Sequence, residues 1–370
     1  MNTRCPSRWP HRLAWLMVCL TFPLIWVGGM VTSGDDGMAV PDWPTTYGYN
    51  MFLYPLSTWL SGPWGVFIEH SHRLLGASVG VCSIALAASL WLAAAPRALR
   101  WLGLGLVAAV ASQGVLGGMR VMMDERLLAK IHACTGPAVF ALAVFALGLI
   151  SDWRRSAAAS SVSRPDSSVG NQPSTVNTSA GSLVTLRLWA FAAPLLAYLQ
   201  LVLGAQLRHV ADDSAPGAFR AFVVFHVLLA VLLLVESLAL AFQVSRLHVD
   251  LRRRFRPAYW LAGCMIAQLA LGAGTWVVKY GWPLVGTTLS WAAGYTVVAE
   301  STGQVLVTTA HVANGSLILA LGVTLALRAA TELPDGIVAH TQSTRSAAAQ
   351  KAATYPQNHA TTPVRLEVAL

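Results

Sequence analysis

The sequence predicts an all-α polytopic membrane protein that crosses the bilayer eight times. Of its 370 residues, 55% are hydrophobic and only 11% are charged, and the mean hydropathy of +0.56 is too high for a soluble domain. A transmembrane helix needs about 20 apolar residues. Eight runs reach that length, at about residues 13–31, 71–95, 100–119, 129–150, 184–207, 219–243, 257–279 and 303–328.

The placement of positive charge predicts the orientation of these helices. An even number of spans puts both termini on one side, and 18 of the 25 Lys and Arg residues fall on that side. The other side holds only Arg73, Arg120, Arg126, Lys130, Arg208, Arg220 and Lys279. Because cytoplasmic loops are enriched in Lys and Arg, both termini are predicted to be cytoplasmic. The net charge of +9 then reflects topology, and we expect no nucleic-acid partner.

The first apolar run could be mistaken for a signal peptide. It lacks a convincing cleavage site and continues into the motif at residues 28–37, so we interpret it as the first helix. The outer loop that follows, at about residues 32–69, contains Pro41-Asp42-Trp43-Pro44 and several aromatic residues. This composition predicts an ordered cap at the membrane interface.

Two polar segments divide the chain. Residues 156–182, rich in Ser, Ala, Asn and Thr, predict a flexible cytoplasmic linker, and residues 333–370 predict a disordered cytoplasmic tail. Between them lie an N-terminal half of four helices (1–155) and a C-terminal half of four (183–332).

A weak repeat accompanies this division. The pattern Q-x-x-L-G occurs near the outward ends of the odd-numbered helices, at residues 113–117, 200–204 and 268–272, with a degenerate copy at 24–28. Any one copy is also compatible with ordinary helix packing through small residues. Three copies in corresponding helices favour duplication, and so predict two pseudo-symmetric four-helix bundles.

Four histidines begin the even-numbered helices, and each is followed four positions later by a small residue. The pairs are His72 with Gly76, His132 with Gly136, His226 with Ala230, and His311 with Gly315. Positions i and i+4 share a helix face, so each imidazole lies beside space for a flat group. Histidine inside a membrane is costly and usually functional. The quartet predicts two bis-histidine haem sites, with these four residues as iron ligands. A bare metal ion is a weaker interpretation, because His70 and His72 are the only close pair.

The segment Glu69-His70-Ser71-His72-Arg73 lies where the first outer loop enters the second predicted helix. Glu69 and His72 share a face, so the carboxylate could exchange a proton with a bound substrate or stabilise positive charge on it. Arg73 could pair with a haem propionate. A helix end with surface charges is the alternative.

Three function classes are compatible with these features. A membrane haem oxidase would use the histidines and Glu69. A b-type electron-transfer cytochrome or haem carrier would share the histidines without needing the carboxylate. A transporter is less well supported, because Glu236 is the only acid well inside a span.

Motifs from about residue 23 to 325 resemble those of haem A synthase, a cytochrome-oxidase assembly family of eight-helix membrane enzymes. The matching stretches are Gly28 to Gly34, Pro41 to Pro44, Glu69 to Gly76, Gln113 to Gly118, Lys130 to His132, Leu203 to Ala205 with Arg208 and His209, Phe225-His226, and Ala310-His311 with Gly315. The resemblance implies that the C8 methyl group of haem O is oxidised to a formyl group, through successive hydroxylations and loss of water, to give haem A.

The resemblance also implies roles for individual residues. His72 and His132 would hold the substrate haem in the N-terminal half, and His226 and His311 would hold haem b in the C-terminal half. Glu69 would serve the oxidation. The full set of cofactor-binding candidates is His72, His132, His226, His311, Arg73, Gly76, Gly136, Arg208 and Gly315.

The expected setting follows from the same resemblance. Haem O is the expected substrate, and haem O synthase and cytochrome oxidase assembly factors are the expected protein partners. The absence of an acid-poor targeting leader favours a bacterial inner membrane. Exposed small residues permit a homo-oligomer.

Two departures from the family pattern affect these expectations. Many bacterial relatives carry a cysteine pair flanking the PDWP segment, but Val40 and Thr46 occupy those positions here, so no thiol–disulfide role is expected. The loop after the fifth helix is short, with residues 212–214 where relatives often repeat a PDW-like element. The second half is therefore expected to act only as a cofactor holder.

Overall fold

The computed structural model describes residues 7–162, 180–210, 215–282 and 294–333. Within these ranges, eight helices are long and apolar enough to cross a membrane, which confirms the predicted all-helical, eight-span fold. They are α1 (Trp9–Ser33), α3 (Trp64–Leu92), α4 (Arg97–Met123), α5 (Arg126–Val162), α6 (Ala180–Arg208), α7 (Pro216–Ser245), α9 (Pro257–Tyr280) and α10 (Thr302–Glu332). The short helices α2 (Leu56–Ser61) and α8 (Val249–Arg254) lie between them.

Most of the helices extend beyond the apolar runs that predicted them. The start of α3 is the clearest case, because it begins at Trp64, after Pro63, and not near residue 71. Glu69 and His70 are therefore inside the helix, and the expectation that they lie at the junction of loop and helix is wrong. The carboxylate and the imidazole are buried, so hydropathy alone placed the helix start too late.

Helix also covers both ends of the predicted linker. α5 continues to residue 162 through an Ala- and Ser-rich stretch, and alanine is the best helix former. α6 begins at residue 180. The central residues 163–179, the tail from residue 334 and residues 212–214 lie outside the described parts of the chain.

The eight long helices pack as two rings of four. In the first ring α1 contacts α3, α3 contacts α4, α4 contacts α5, and α5 returns to α1. In the second ring α6, α7, α9 and α10 follow the same order of contacts. Each ring has its own apolar core, around Leu86 and Ile150 in the first and around Leu240 and Leu325 in the second. The pseudo-symmetry between the rings stays a prediction.

The rings meet where α10 packs against α1 and α5. A Cβ added to Gly29 of α1 would lie 2.9 Å from the Cγ2 atom of Thr309 in α10, so glycine permits the close approach. Ser33 Oγ and Thr309 Oγ1 are 3.3 Å apart at the same contact.

The chain alternates in direction, so the helices that carry the four histidines all begin at one end of the bundle. We call this the histidine end, and the end where α1 begins and α10 finishes the terminal end. Residues 34–63 fold over the first ring at the histidine end. The ring of Trp43 packs so closely on Gly118 of α4 that no side chain would fit there.

Candidate functional site

The structure brings the four histidines together as two pairs. His72 of α3 and His132 of α5 lie in the first ring with their imidazole centroids 6.4 Å apart and their planes at 86°. His226 of α7 and His311 of α10 lie in the second ring, 6.3 Å apart and at 66°. Each ring of helices thus holds one pair of facing imidazoles.

Each histidine ring lies against a glycine on a neighbouring helix. The contacts are His72 with Gly28, His132 with Gly117, His226 with Gly204, and His311 with Gly272. A Cβ on Gly28 would lie 2.7 Å from the imidazole, and a Cβ on any of the other three would lie 3.1–3.2 Å away. These glycines therefore form the seats on which the imidazoles rest.

Sequence reasoning missed this role, although it found the residues. Gly117, Gly204 and Gly272 end the three Q-x-x-L-G motifs, and Gly28 ends the degenerate copy. The repeat was interpreted as helix packing or duplication. The usable signal was that every copy precedes a histidine at the start of the next long helix.

The helix backbone also approaches each imidazole. The rings interact with the backbone of Leu24, Gln113, Gln200 and Gln268, each four residues before a seat glycine. No Nδ1 atom of the quartet meets the geometry of a full hydrogen bond, although all four are buried. A metal-bound imidazole ordinarily donates its second N–H to a carbonyl or carboxylate, and a backbone group beside each ring suits that role.

All three repeat glutamines reach across to a helix that carries a histidine. Gln200 Nε2 donates to the carbonyl of His226 at 2.9 Å, and Gln268 Nε2 donates to that of His311 at 3.0 Å. Gln113 donates instead to the hydroxyl of Thr135. These hydrogen bonds hold each glutamine helix against the neighbouring histidine helix.

The small residues that follow the histidines differ in the space around them. A Cβ added to Gly76 would meet nothing within 4 Å, and one added to Gly136 would meet only Gln113 Oε1 at 3.8 Å. A Cβ on Gly315 would lie 3.1 Å from Leu201 Cδ2. Open volume therefore lies beside both histidines of the first pair, whereas the small residue after His311 is packed against Leu201.

Glu69 and Arg73 form a buried ion pair one turn apart on α3. Glu69 accepts hydrogen bonds from Arg73 Nη2 and from the backbone N–H of Val40, both at 2.8 Å. Arg73 also donates to the carbonyls of Val40, Asp42 and Thr45 at 2.6, 2.5 and 2.8 Å. Most of the guanidinium donors are thus used to hold the first loop, and a propionate would have to share them.

Asp42 organises the tip of that loop. Its carboxylate accepts hydrogen bonds from the hydroxyl of Thr45 at 2.5 Å and from the backbone N–H groups of Tyr47 and Gly48 at 2.8 Å. Partial burial opposes ionisation, but the hydrogen bonds outweigh it and lower the pKa of Asp42 below its ordinary value. The P-D-W-P segment is therefore a folded cap.

His70 contacts residues of the same cap. Its Nδ1 lies 3.1 Å from Thr46 Oγ1, and its ring contacts those of Tyr54 and Trp59, with centroids 5.0 and 5.3 Å away. The residue is only 1% exposed. His70 therefore anchors the loop through the hydroxyl of Thr46.

Five basic residues converge at the histidine end, between the two rings. We call them the cationic cluster: Arg120, Lys130, Arg208, His209 and Lys279. Arg208 Nη2 donates to the carbonyl of Gly29 and to Ser33 Oγ, both at 2.8 Å, and so ties α6 to α1. Arg120 Nη2 donates to the carbonyl of Gly37 at 3.3 Å.

His209 shows how strongly positive this cluster is. Burial, followed by the neighbouring Arg208, Lys130, Arg120 and Lys279, lowers the pKa of His209 to about 4. Its Nε2 atom is buried without a hydrogen-bond partner. Glu69 interacts with Arg120 but is already paired with Arg73. The cluster thus has an excess of positive charge in a setting that favours an anion.

Residues 64–287 match the model of the COX15-CtaA family, described as cytochrome oxidase assembly protein. The chain belongs to this family. A comparison with curated proteins gave no match. The family is the haem O to haem A oxidoreductase, so membership implies haem A synthase activity in cytochrome oxidase assembly, with haem O as substrate. The matched range contains Glu69 and three of the four histidines, whereas His311 lies beyond it.

The two pairs fit the haem binding that the family suggests. Imidazoles that bind one metal atom from opposite faces, each through a nitrogen about 2 Å away, have ring centres about 6 Å apart. The observed separations are 6.4 and 6.3 Å. The glycine seats leave each imidazole space beside a neighbouring helix, and the backbone group near each buried Nδ1 is close enough to orient the ring.

Proposed function

We propose that haem O is bound and oxidised in the first ring, between His72 and His132, and that His226 and His311 hold a haem b in the second. The observation that carries this assignment is the buried Glu69, three residues before His72. Val223 occupies the matching position before His226. A bound haem b supplies one-electron redox chemistry.

Glu69 is the group we assign to the reaction. Arg73 and the Val40 N–H hold its carboxylate in one orientation, so no reorganisation is needed when charge changes on the substrate. In a site of low dielectric, a fixed carboxylate strongly stabilises positive charge that develops nearby, or accepts a proton released there. Arg73 positions Glu69 and the loop together.

The open volume at Gly76 and Gly136 supports the same assignment. Both glycines follow the histidines of the first pair by one helical turn, on the face that each imidazole occupies. A porphyrin that must bind, react and leave needs space that a permanently held cofactor does not. The contact of Gly315 with Leu201 is consistent with a second site that holds its group tightly.

We further propose that the cationic cluster binds haem propionates. Arg208 and Arg120 are half-buried and electrostatically coupled between the rings, and guanidinium groups match carboxylates bidentately. Negative charge at this position would offset repulsion among four permanent cations. Arg208 therefore keeps its proposed role, and Arg120 joins it as a residue that sequence reasoning had used only for topology.

The setting is also a proposal. The distribution of Lys and Arg supports cytoplasmic termini with the histidine end outside, and we place the protein in a bacterial inner membrane. Haem O synthase and oxidase assembly factors are the proposed partners, and a homo-oligomer is compatible with the small exposed residues. A reporter that is active only outside the cytoplasm, fused after Leu333, is expected to stay inactive.

The test of the reaction site is Glu69→Gln. The variant should keep both haems bound yet accumulate unconverted haem O, since the amide retains the shape but loses the charge. Pigment extracted from cells with a haem O source, identified by mass, reports the conversion. Glu125→Gln, an exposed acid at the same end, is the matched control and should convert normally. Normal haem A yield from Glu69→Gln would reject the assignment in favour of a cytochrome or haem carrier whose carboxylate is structural.

A further inference from the structure

A cavity of about 550 Å³ lies at the terminal end of the bundle, far from the histidines. It is formed where α1 and α5 of the first ring meet α10 of the second. Its lining runs along α5 from Val144 to Ala158 and along α10 from Val323 to Glu332. At about 1.5 Å per helical residue, the cavity reaches roughly 14–20 Å along the helices.

The lining changes from apolar to charged along this length. The deep part is formed mainly by Val18, Val144, Phe145, Leu147, Val323 and Leu327. The rim carries His11, Asp152, Arg154, Arg155, Arg328 and Glu332. Trp15 lies at the cavity with half of its surface exposed, as tryptophans at the membrane interface commonly are. The gradient suits an amphiphile with an apolar chain and a polar head.

The charges at the rim favour a negative head group. Asp152 is paired with Arg155, and Glu332 is paired with Arg254 at 3.1 Å. Arg154 forms no ion pair with any described residue, and its Nε atom is buried without a hydrogen-bond partner. The rim therefore carries three arginines, Arg154, Arg155 and Arg328, against two acids that are each already paired with an arginine.

We propose that this cavity binds one anionic phospholipid, with the phosphate at Arg154 and Arg328 and an acyl chain between the rings. Basic pockets between transmembrane helices commonly bind anionic head groups. The lipid would fill the terminal-end contact between the rings and so stabilise their packing. This site does not depend on haem chemistry and lies beyond the proposed function.

The test is lipid retention by the full-length protein, measured by native mass spectrometry. Protein purified in detergent is titrated with phosphatidylglycerol or with phosphatidylcholine of the same acyl chains. One phosphatidylglycerol should be retained in preference. Arg154→Gln should weaken that retention about fivefold, whereas Arg253→Gln, an exposed arginine outside the cavity at the same end, should not. Equal retention of the two lipids, or unchanged retention by Arg154→Gln, would overturn the proposal.

A second variant separates a lipid from a free phosphate. Val144→Phe fills the deep, apolar part and leaves the arginines in place, so it should reduce phosphatidylglycerol retention by a similar factor. Inorganic phosphate at millimolar concentration should not displace the lipid from the unmodified protein. Displacement by phosphate, unchanged retention by Val144→Phe, or displacement by haem O would each show that the site does not select a phospholipid.

Discussion

The two histidine pairs have the same internal arrangement, which we call the clamp, but they differ in their surroundings. Both have imidazoles about 6 Å apart, each resting on a glycine of a neighbouring helix. Only the first pair has a buried carboxylate three residues before a ligand and open volume one turn after it. In the second pair, Val223 replaces the acid and Leu201 packs on Gly315. We propose that the shared imidazoles account for haem binding and that the different surroundings decide which haem reacts.

Removing a ligand from each pair should produce the largest effect. His132→Ala is expected to lose the substrate haem and to reduce conversion at least about 100-fold, beyond the usual effect of outer-shell changes. His311→Ala should lose haem b while haem O stays bound in the first ring. Haem content and pigment mass, measured on both purified variants, distinguish the sites. Loss of the same haem from both variants would show that the pairs are not independent.

Filling the open volume beside the first histidine pair is expected to have the second-largest effect. It should affect the first ring of helices and not the second. Gly76→Leu is expected to fold, because a Cβ there meets no heavy atom within 4 Å, and to reduce haem O binding about tenfold or more by occupying substrate space. Gly105→Leu, at an exposed and equally open position on α4, is the matched control and should bind normally. Titration of each apo-protein with haem O, followed by absorbance, gives the comparison. Unaltered binding to Gly76→Leu would place the substrate elsewhere.

The sequence predicted the eight helices well because hydropathy is a local property. It also predicted the four histidines as a set, since each stands at a similar position in its helix. It did not predict that Arg73 holds the carbonyls of a folded loop, because that contact joins residues about 30 positions apart. Nor did it predict that Arg120 and Arg208 lie near one another between the rings. Such contacts depend on how helices pack, which hydropathy does not encode.

The shared part of the clamp gives a third prediction. Gly117→Ala and Gly204→Ala should each push one imidazole by a few tenths of an ångström, since the new Cβ would lie 3.1 or 3.2 Å from it. Strain from such overpacking is about 1–3 kcal/mol. Each variant should bind its own haem about five- to 150-fold more weakly, with normal haem binding in the other ring. Spectral titration of each variant with haem measures this change. If only one of the two variants bound its haem more weakly, the two pairs would not share the same clamp.

The smallest expected effect concerns the cap over the first ring. Asp42 has a lowered pKa, so its carboxylate stabilises the loop above the ordinary value of 3.8, and this stabilisation is lost as the pH falls through the lowered pKa. Asp42→Ala should loosen residues 42–49 at neutral pH by about 1 kcal/mol. Hydrogen exchange of these amides measures the change. Wild-type exchange rates in Asp42→Ala would show that the loop does not need this carboxylate.

The most direct test of the central claim is an experimental structure of the full protein loaded with both haems in a lipid nanodisc. We expect one iron between His72 and His132 and another between His226 and His311, each about 2 Å from two imidazole nitrogens. We also expect the porphyrin in the first ring to be the haem O or haem A molecule. An iron bound by one histidine alone, or the substrate haem in the second ring, would contradict that claim.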